Sequence, residues 1–265
     1  VGAYVSLDTT TGLAKFSGII ADSPAEEADL RAEDIIYKVD DVDVTGMTLQ
    51  ETVSLIKGDE NTTVKLTLIR DGKEIEKEVT RRKVESPTVN FKMLDDGMAY
   101  IQITEFDTVT VDQFTEAMAM ARGNDMKGLI LDLRSNPGGN LSSVVSIAKQ
   151  MLPKGLIVYT EDRDGNREEY SCDGSKELDV PMVVLVNGNS ASASEILAGA
   201  IKDYGIGTLV GTTTFGKGIV QRPIELSDGS AVKLTISSYY TPNGLNIHGI
   251  GLEPDVDCEF DRERY

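Results

Sequence analysis

Apolar and polar residues alternate in short stretches through the first 84 residues, as expected of half-buried strands. Such stretches span 3–7, 14–20, 34–44, 62–70 and 74–81. Ser23 precedes Pro24 and early acidic residues, which is typical of a helix N-terminus. A second helix is predicted over 48–56, where apolar residues repeat at helical spacing, and Asp71-Gly72 favours a hairpin between the last two strands. The pattern predicts a small α+β domain over 1–84.

A different pattern follows the proline-containing segment 84–90, where we expect the interdomain linker. Apolar strands alternate here with helical stretches of about a dozen residues, which indicates βαβ units and a mostly parallel sheet. The predicted strands are 98–106, 128–134, 156–160, 181–186 and 208–213, and the predicted helices are 111–122, 141–152 and 194–204. Stretches 219–226 and 231–240, separated by Asp228-Gly229, predict a closing hairpin. The second domain is expected over 85–265.

The amino-acid composition argues against several classes of function. The 265 residues carry a net charge of -18, whereas nucleic-acid binding requires a basic patch. The run Arg81-Arg82-Lys83 is short and lies at a strand end, where solvent exposure accounts for it. The chain contains no apolar run of about 18 residues, which is the length that would predict a membrane span. The two cysteines, Cys172 and Cys258, lack metal-ligand spacing, and whether they pair stays open. We expect no metal and no nucleic-acid partner.

The element order of the first domain resembles that of a PDZ domain. The stretch Ser23-Pro24-Ala25 and the following segment 30–36 (LRAEDII) are close to a motif of that family, although Asp29 stands where the family usually has glycine. PDZ domains bind a peptide as an added strand, while loop amides hold its terminal carboxylate. A small α+β domain with an ordinary packing seam is the alternative interpretation.

The PDZ resemblance implies a location for peptide binding. The carboxylate loop would be Gly2, Ala3 and Tyr4, and the groove would lie between strand 3–7 and helix 48–56. Tails of proteins or peptides would then be the partners of this domain.

Two small-residue turns of the second domain could carry chemistry. The serine turn, 187–195 (NGNSASASE), follows an apolar strand and leads into a helix, so its hydroxyls lie near helix N-terminal amides. The glycine turn, 135–140 (SNPGGN), follows strand 128–134, and its paired glycines let backbone amides approach a substrate oxygen. Because ligands bind beyond the carboxyl ends of parallel strands, the two turns could share one crevice. An ordinary turn is the alternative for the glycines.

A serine nucleophile needs a base, and the chain contains a single histidine, His248. Its glycine-rich surroundings favour a loop or structural role over a Ser-His-Asp triad. Lys217 is flanked by glycines and apolar residues rather than by solvating charges, which favours the neutral amine that a general base requires. If 217–221 is extended, Lys217 and Gln221 lie on one face and the glutamine could hold the lysine in place. An exposed loop lysine is the alternative.

The motifs of the second domain together resemble those of the C-terminal processing (tail-specific) peptidases. The matching stretches are 132–139 (DLRSNPGG), 190–196 (SASASEI) and 214–218 (TFGKG), and the likeness extends over about 1–256. This family consists of Ser/Lys proteases that join a PDZ domain to a crotonase-like β/α core. The resemblance therefore implies an α/β fold class: an α+β PDZ domain followed by a crotonase-like β/α serine protease core.

Residue roles follow from that resemblance, position by position. Ser192 corresponds to the nucleophile, Lys217 to the general base and Gln221 to a residue supporting the lysine. The backbone amides of Gly138 and Ala193 correspond to the oxyanion donors. Asp203, in the helix after the serine turn, corresponds to an acidic residue with a supporting role.

The resemblance also implies an activity and its setting. We expect a serine endopeptidase that cleaves protein substrates near their C-terminal tails, recognises the tail through the PDZ domain and needs no cofactor. An extracytoplasmic location is implied, although this sequence shows no signal or anchor segment. Homo-oligomerisation and a regulatory partner protein stay open. Two other functions remain: a non-catalytic PDZ/crotonase-like protein that binds a peptide or ligand, and an esterase or amidase that uses Ser192 with His248.

Overall fold

The chain forms two compact units, Val1–Pro87 and Thr88–Tyr265, each with its own hydrophobic core. The computed structural model describes residues 1–226 and 229–259. The segment 84–90, predicted as linker, contains the start of a strand at Val89. The sequence analysis did not predict this strand because a proline and polar residues directly precede its alternating positions.

The first unit is an antiparallel sheet with two short helices. Its elements are β1 (Ala3–Leu7), β2 (Ala14–Ile19), α1 (Pro24–Glu27), β3 (Ile35–Val39), β4 (Val42–Asp43), α2 (Leu49–Ile56), β5 (Thr63–Arg70) and β6 (Lys73–Thr80). The strand order is β1-β2-β3-β5-β6, and β4 pairs with β3. This arrangement agrees with the α+β domain predicted from the sequence, and it places β1 at one edge of the sheet.

The helix starts in this unit depend on the capping residues visible in the sequence. Ser23 Oγ accepts a hydrogen bond from Glu26 N–H at 3.4 Å, with Pro24 at the first helical position. Thr48 and Glu51 form a reciprocal capping box at the start of α2.

Asp29 explains how an acidic residue replaces glycine in the PDZ-like motif. Its φ is +53°, in the left-handed region that glycine adopts most readily and aspartate better than most other residues. The side chain also forms ion pairs with Arg31, Arg70 and Lys77 at 3.0 to 3.1 Å. The aspartate therefore retains the turn and adds a contact between the turn and strands β5 and β6.

The second unit contains two sheets and three main helices. Its elements are β7 (Val89–Met93), β8 (Met98–Ile103), α3 (Thr108–Gly123), β9 (Gly128–Asp132), α4 (Leu141–Ala148), β10 (Gly155–Asp162), β11 (Arg167–Cys172), β12 (Met182–Val186), α5 (Ala193–Tyr204), β13 (Thr208–Gly211), β14 (Ile219–Glu225), β15 (Ala231–Tyr240) and β16 (Val256–Asp257). None of the helices in the described part of the chain is long and apolar enough to cross a membrane.

One sheet is mostly parallel, as the sequence predicted. Its order is β16-β13-β12-β9-β8-β7, and only the β7–β8 pair is antiparallel. Leu129, Leu131 and Val184 on its central strands are fully buried. Continuous apolar strands are typical of a parallel sheet covered on both faces.

The other sheet is antiparallel, with the order β11-β10-β15-β14. The sequence predicted strand 156–160 but not its place in this sheet, and it did not predict β11. The reason is that β11 is polar and mostly exposed, with only Cys172 buried, so its alternation is weak. The hairpin of β14 and β15 agrees with the prediction, although Asp228 of its predicted turn lies outside the described residues.

Candidate active site

Hydrogen bonds join the serine turn to the glycine turn. Each turn follows one of two adjacent parallel strands, β12 and β9. Ser135 N–H donates to Asn187 Oδ1 at 2.9 Å, and Asn187 Nδ2 donates back to Ser135 Oγ at 3.2 Å. Ala191 N–H donates to the Asn136 carbonyl at 3.0 Å. The two turns therefore meet at the carboxyl ends of neighbouring strands, where the sequence predicted a shared crevice.

The three alternating serines have different environments. Ser190 is fully buried and its hydroxyl donates to the Leu133 carbonyl at 2.7 Å. Ser194 is also fully buried and donates to the Asn136 carbonyl at 3.0 Å. Both hydroxyls hold the turns together. Ser192 lines a cavity instead, so it is the serine of this run that is placed to meet a ligand.

Ser192 has an unusual backbone conformation at the start of α5. Its φ of +57° and ψ of -115° are sparsely populated for a residue with a side chain. Such a conformation costs about 1–3 kcal/mol and persists where surrounding contacts impose it, often at active sites. Glu195 N–H and Ile196 N–H donate to the Ser192 carbonyl at 2.9 and 3.0 Å. The nucleophile candidate is therefore held at the junction of strand, turn and helix.

A cavity of about 290 Å³ brings several predicted residues together. Its lining contains Ser192, Ala193, Lys217 and Gln221. The other lining residues are Gly139, Asn140, Leu141, Thr160, Ile196, Ile219, Val220, Lys233 and Tyr239. Among the described residues, two lysines and no carboxylate line the cavity, in a chain whose net charge is -18. The site therefore combines three hydroxyl-bearing side chains, two amines and apolar walls.

The predicted contact between Gln221 and Lys217 depended on an extended segment. The strand begins only at Ile219, and its register shifts between Val220 and Gln221, so even spacing does not by itself place the two side chains together. Within the described residues no hydrogen bond joins the Ser192 hydroxyl to the Lys217 amine. The roles of Lys217 and Gln221 therefore stay predictions that their shared cavity supports.

The glycine turn approaches Ser192 through Gly138. A Cβ on Gly138 would lie 2.7 Å from the Ala191 carbonyl oxygen and 2.7 Å from Ser192 Cβ, so only glycine fits. The N–H of Gly138, however, donates to Asn136 Oδ1 at 2.9 Å. In this arrangement that amide closes the turn, and its role as an oxyanion donor stays a prediction.

Gly139 presents a second amide in the same turn. The Gly138 carbonyl accepts from Phe106 N–H at 2.8 Å. In a trans peptide the following N–H points the opposite way, so the Gly139 N–H is directed away from Phe106. It has no hydrogen-bond partner among the described residues, and Gly139 lines the cavity. Ala193 N–H, at the first turn of α5, is the other amide beside Ser192.

Glu195 is a site residue to which the sequence analysis assigned no role. Its side chain is fully buried, yet its described hydrogen-bond donors are neutral. Oε1 accepts from Thr214 Oγ1 at 2.6 Å and from Gly216 N–H at 2.7 Å. Oε2 accepts from Ser192 N–H at 2.8 Å and from Lys217 N–H at 2.9 Å. One carboxylate oxygen therefore joins the main chains of the predicted nucleophile and base.

The sequence contained a signal for Glu195. It lies three residues after Ser192, the spacing at which a glutamate side chain accepts from the N-cap amide of a helix. The helix dipole also favours negative charge in the first turn. The spacing could have predicted the bond to Ser192, whereas the bonds to 214–217 depend on tertiary structure.

Asp132 is a second buried carboxylate that the sequence analysis did not single out. It accepts from Arg134 Nη2 at 2.6 Å and from the Tyr100 hydroxyl at 2.7 Å. Burial acts to raise the pKa of Asp132, but hydrogen bonds from Arg134 prevail and hold it below its ordinary value. The charged pair fixes the end of β9, from which the glycine turn continues.

Two other candidates lie outside the cavity lining. Asp203 Oδ2 accepts from Asn243 N–H at 2.8 Å and so anchors the turn after β15. His248 is exposed, and its main chain lies beside Gly218. The structure does not bring Asp203 or His248 into the lining that contains Ser192.

In the first unit, the predicted carboxylate loop is held through its carbonyl groups. The Gly2 carbonyl accepts from Ile20 N–H at 2.9 Å and from Ser23 Oγ at 3.1 Å. Gly2 has a φ of +88°, and a Cβ there would lie 2.2 Å from Ser23 Cβ. Tyr4, at the other end of the loop, is 48% exposed. Ala3 and Tyr4 are the first two residues of edge strand β1, which lies beside α2, so only Gly2 of the predicted loop precedes the strand.

The titratable side chains give no arrangement suited to a metal. Within 1–226 and 229–259, no group of three or more histidine, cysteine, aspartate or glutamate residues could hold an ion together. Cys172 is buried and Cys258 exposed, and both are free thiols.

Comparisons with known proteins agree with both units. The model of peptidase family S41 matches residues 97–258, and a PDZ domain model matches residues 15–70. The carboxyl-terminal-processing protease of Synechocystis is 39% identical over 98% of this chain and 62% of its own length. The carboxy-terminal processing protease CtpA of Bacillus subtilis is 39% identical over 91% of this chain and 52% of its own length. The chain thus spans between half and two thirds of these relatives.

Solved structures show the same similarity. A photosystem II D1 C-terminal processing protease has a TM-score of 0.61 and 34% identity, covering 98% of this chain and 72% of that one. The tricorn protease has a TM-score of 0.53 at 20% identity, covering 98% of this chain and 26% of that one, a likeness of fold alone. The chain contains a PDZ domain and an S41 peptidase domain. It therefore belongs to peptidase family S41, the family of serine peptidases that includes the carboxyl-terminal processing proteases.

Proposed function

We propose that this chain is a serine endopeptidase that cleaves proteins near their C-terminal tails with Ser192 as nucleophile and Lys217 as general base. The observation that carries the proposal is the placement of Ser192. Ser192 lies in a strained turn at the start of a helix and lines the same cavity as Lys217. The backbone N–H groups of Ser192 and Lys217 also donate to the same carboxylate, that of Glu195.

The chemistry requires a neutral Lys217 amine. It would take the proton of the Ser192 hydroxyl as the oxygen forms a bond to the scissile carbonyl carbon. The protonated lysine would then give that proton to the departing amine as the peptide C–N bond breaks. Water, deprotonated by Lys217, would hydrolyse the acyl-enzyme and restore Ser192. Hydrogen bonds in an unliganded site often tighten only when substrate is bound, so direct contact is expected in that complex.

The tetrahedral oxyanion would be stabilised by backbone amides beside Ser192. Ala193 N–H stands at the N-terminus of α5, where helix amides and dipole favour negative charge. The N–H of Gly139 is the better placed of the two glycine-turn amides, because that of Gly138 is bonded to Asn136. Gly138 could contribute only by sharing that bond.

The substrate would bind in an extended conformation along β14. This strand is at the edge of its described sheet and contributes Ile219, Val220 and Gln221 to the cavity wall. An edge strand offers main-chain hydrogen bonds that do not depend on substrate side chains. Unstructured tails supply the extended backbone that such binding needs.

The PDZ unit would recognise the substrate tail. Its edge strand β1 and helix α2 are adjacent, and the proposed carboxylate-binding segment Gly2-Ala3-Tyr4 includes the first two residues of that strand. A tail would add as a strand beside β1, with its terminal carboxylate at the loop amides. Protein and peptide tails are therefore the proposed partners of this unit.

Labelling of the active serine tests the catalytic proposal. A fluorophosphonate should label the wild-type chain, and Ser192→Ala and Lys217→Ala should both lose labelling and peptide cleavage. Lys127→Ala removes an exposed lysine elsewhere in the same unit and should behave as wild type. Absence of labelling in the folded wild-type chain would favour the non-catalytic binding protein.

The esterase or amidase alternative makes the opposite prediction for two variants. It requires His248→Ala to abolish turnover and Lys217→Ala to be tolerated. The Ser/Lys proposal requires His248→Ala to retain turnover within about twofold, because the exposed imidazole is not part of the cavity lining.

Tail recognition is tested separately with fluorescent decapeptides that carry a free or an amidated C-terminus. The free acid should bind more tightly and be cleaved with the lower KM. Equal affinity and equal KM would contradict carboxylate capture and leave the chemistry of Ser192 untouched.

A further inference from the structure

Tyr239, on β15, contacts the main chains of both predicted catalytic residues. Its side chain is almost fully buried, at 2% exposure. The hydroxyl donates to the Ser192 carbonyl at 3.1 Å and is also hydrogen-bonded to the Lys217 carbonyl. A phenol has a single proton, so the two carbonyl oxygens share it.

This contact complements that of Glu195. The carboxylate accepts from the N–H groups of Ser192 and Lys217, whereas the tyrosine donates to their carbonyl groups. The backbone N–H and the backbone carbonyl of Ser192 are therefore both bound, the first by Glu195 and the second by Tyr239, and the same holds for Lys217. Because Ser192 has a sparsely populated φ, its position depends on such contacts rather than on intrinsic preference.

The chemistry of the bridge suits a tyrosine. Burial raises the pKa of Tyr239, with the nearby Glu195 carboxylate acting in the same direction, so the hydroxyl keeps its proton and remains a donor at neutral pH. Its ring is rigid and holds the oxygen at a fixed distance from β15. The main-chain N–H of Tyr239 also donates to the Gly218 carbonyl at 3.1 Å, next to Lys217.

We propose that Tyr239 is a positioning residue that sets the separation of Ser192 and Lys217 by binding both carbonyl groups from β15. This inference rests on the proposed Ser/Lys chemistry. It assigns the residue an effect on turnover, since displacement of a reacting group by about 1 Å can cost about 100-fold in rate. It gives Tyr239 no contact with the reacting atoms.

The matched pair Tyr239→Phe and Tyr240→Phe tests this role. Each removes one hydroxyl from adjacent positions of the same strand, but Tyr240 stacks on Tyr159 with ring centroids 4.8 Å apart. The end point of fluorophosphonate labelling gives the concentration of competent sites, and its time course gives the reactivity of Ser192. Cleavage of a quenched fluorescent peptide then gives kcat per competent site and KM.

For Tyr239→Phe we expect full end-point labelling, a labelling rate and a kcat per site lower by about 10- to 100-fold, and a KM within about threefold of wild type. The pH dependence of kcat/KM should also change, because the lysine's position relative to the serine has changed. Tyr240→Phe should match wild type in all five of these readouts.

A purely structural role would give a different result. The end point of labelling would fall with the folded fraction, while kcat per labelled site and the pH profile stayed at wild-type values. That outcome, or an equal loss in Tyr240→Phe, would overturn the inference. Failure of the proposed function is distinct, because then wild type would not be labelled or Ser192→Ala and Lys217→Ala would remain active.

Discussion

Each unit contains a buried carboxylate, but the two have opposite kinds of partner. In the PDZ unit, Asp34 is 2% exposed and bound by the Arg70 guanidinium through two bonds of 2.7 Å. In the peptidase unit, Glu195 is fully buried and is held by three backbone amides and one hydroxyl. The cation of the first neutralises charge and joins strand to loop. The amides of the second come from separate segments, so the carboxylate fixes backbone positions at a reactive site.

This difference shows how one residue type can serve stability or catalysis. The carboxylate of Asp34 is held mainly by one bidentate guanidinium, with Arg31 N–H of the same loop as a further donor at 2.9 Å. A carboxylate bound by amides orders every segment that donates to it. We therefore expect changes at Asp34 and Arg70 to lower stability, and changes at Glu195 to lower turnover as well.

The largest expected effect is that of Glu195→Gln. If the NH₂ group replaces Oε2, it faces the N–H groups of Ser192 and Lys217, and both bonds are lost. If it replaces Oε1, the Thr214 hydroxyl can turn to accept from it, but the bond from Gly216 N–H is lost, so the neighbouring segments must shift in either case. We expect kcat to fall by about 100-fold or more and the free energy of unfolding by about 1–3 kcal/mol. Peptidase kinetics and urea unfolding measure the two quantities.

The control for that variant is Thr214→Val, which removes one donor to Oε1 and leaves the Oε2 bonds to Ser192 and Lys217. It should lower turnover much less than Glu195→Gln does. Equal losses in the two variants would show that the bridging oxygen has no special part in the geometry of the site.

The next effect concerns the PDZ unit. Arg70→Met leaves Asp34 buried without its cation, and removal of one partner from a buried pair costs about 3 kcal/mol. Urea unfolding should show this loss in the PDZ unit, while fluorophosphonate labelling of Ser192 stays at the wild-type rate. A fall in labelling of the folded protein would contradict the separation of roles.

A control for the ion pair is the double variant Arg70→Met with Asp34→Asn. It removes both charges, so it should recover part of the stability lost in Arg70→Met. No recovery would mean that packing of the arginine stem, rather than the unpaired charge, accounts for the loss.

Asp132 is an intermediate case, since its partners are the Arg134 guanidinium, the Arg134 backbone amide and the Tyr100 hydroxyl. Its pKa is depressed in the folded state, so the stability that its charged form provides is present above the unfolded value of about 3.9. That stability is lost as pH falls through the lower folded value. Asp132→Asn should lower the free energy of unfolding by about 1–2 kcal/mol at pH 7.

The pH dependence identifies the charged contribution of Asp132. The gap between wild type and Asp132→Asn should be constant from pH 5 to 7 and narrow below about pH 4. Urea unfolding at a series of pH values measures it. A gap that stayed constant down to pH 2 would assign the loss to packing or geometry.

The smallest effect is expected at the exposed ion pairs of Asp29. Its carboxylate is 51% exposed and pairs with Lys77 at 3.0 Å. Exposed pairs contribute little and are screened by salt, so Lys77→Ala should change Tm by about 1 °C or less. A larger change that persisted in 0.5 M NaCl would show that this surface network acts like the buried pair of Asp34.

Much of the fold was predictable because its patterns are local. A capping residue marked α1, apolar residues at helical spacing marked α2, the alternation before and after Asp71 marked the hairpin of β5 and β6, and apolar strands marked the parallel sheet. Strand β11 was missed because its residues face solvent and carry weak alternation. The place of β10 in a separate antiparallel sheet depends on pairing with β15, which is distant in sequence.

The site was predictable in part for a similar reason. Ser192 and Lys217 lie in distinctive small-residue stretches, whereas Glu195 and Tyr239 have little local signal for their roles. Glu195 carries a capping spacing that predicts one of its four bonds. Tyr239 is one of two adjacent tyrosines, and only packing decides which hydroxyl meets the serine turn.

The sequence by itself determined most of the strands and helices and the residues with suitable chemistry, because propensity, periodicity and turn chemistry act over a few neighbouring positions. The tertiary structure alone decided which serine faces the cavity, because the hydroxyls of Ser190 and Ser194 donate hydrogen bonds to backbone carbonyls of another segment. It also directed the Gly138 amide to Asn136 and joined Ser192 to Lys217 through Glu195 and Tyr239. Those contacts connect residues distant along the chain, and only the folded backbone brings their donors and acceptors within hydrogen-bond distance.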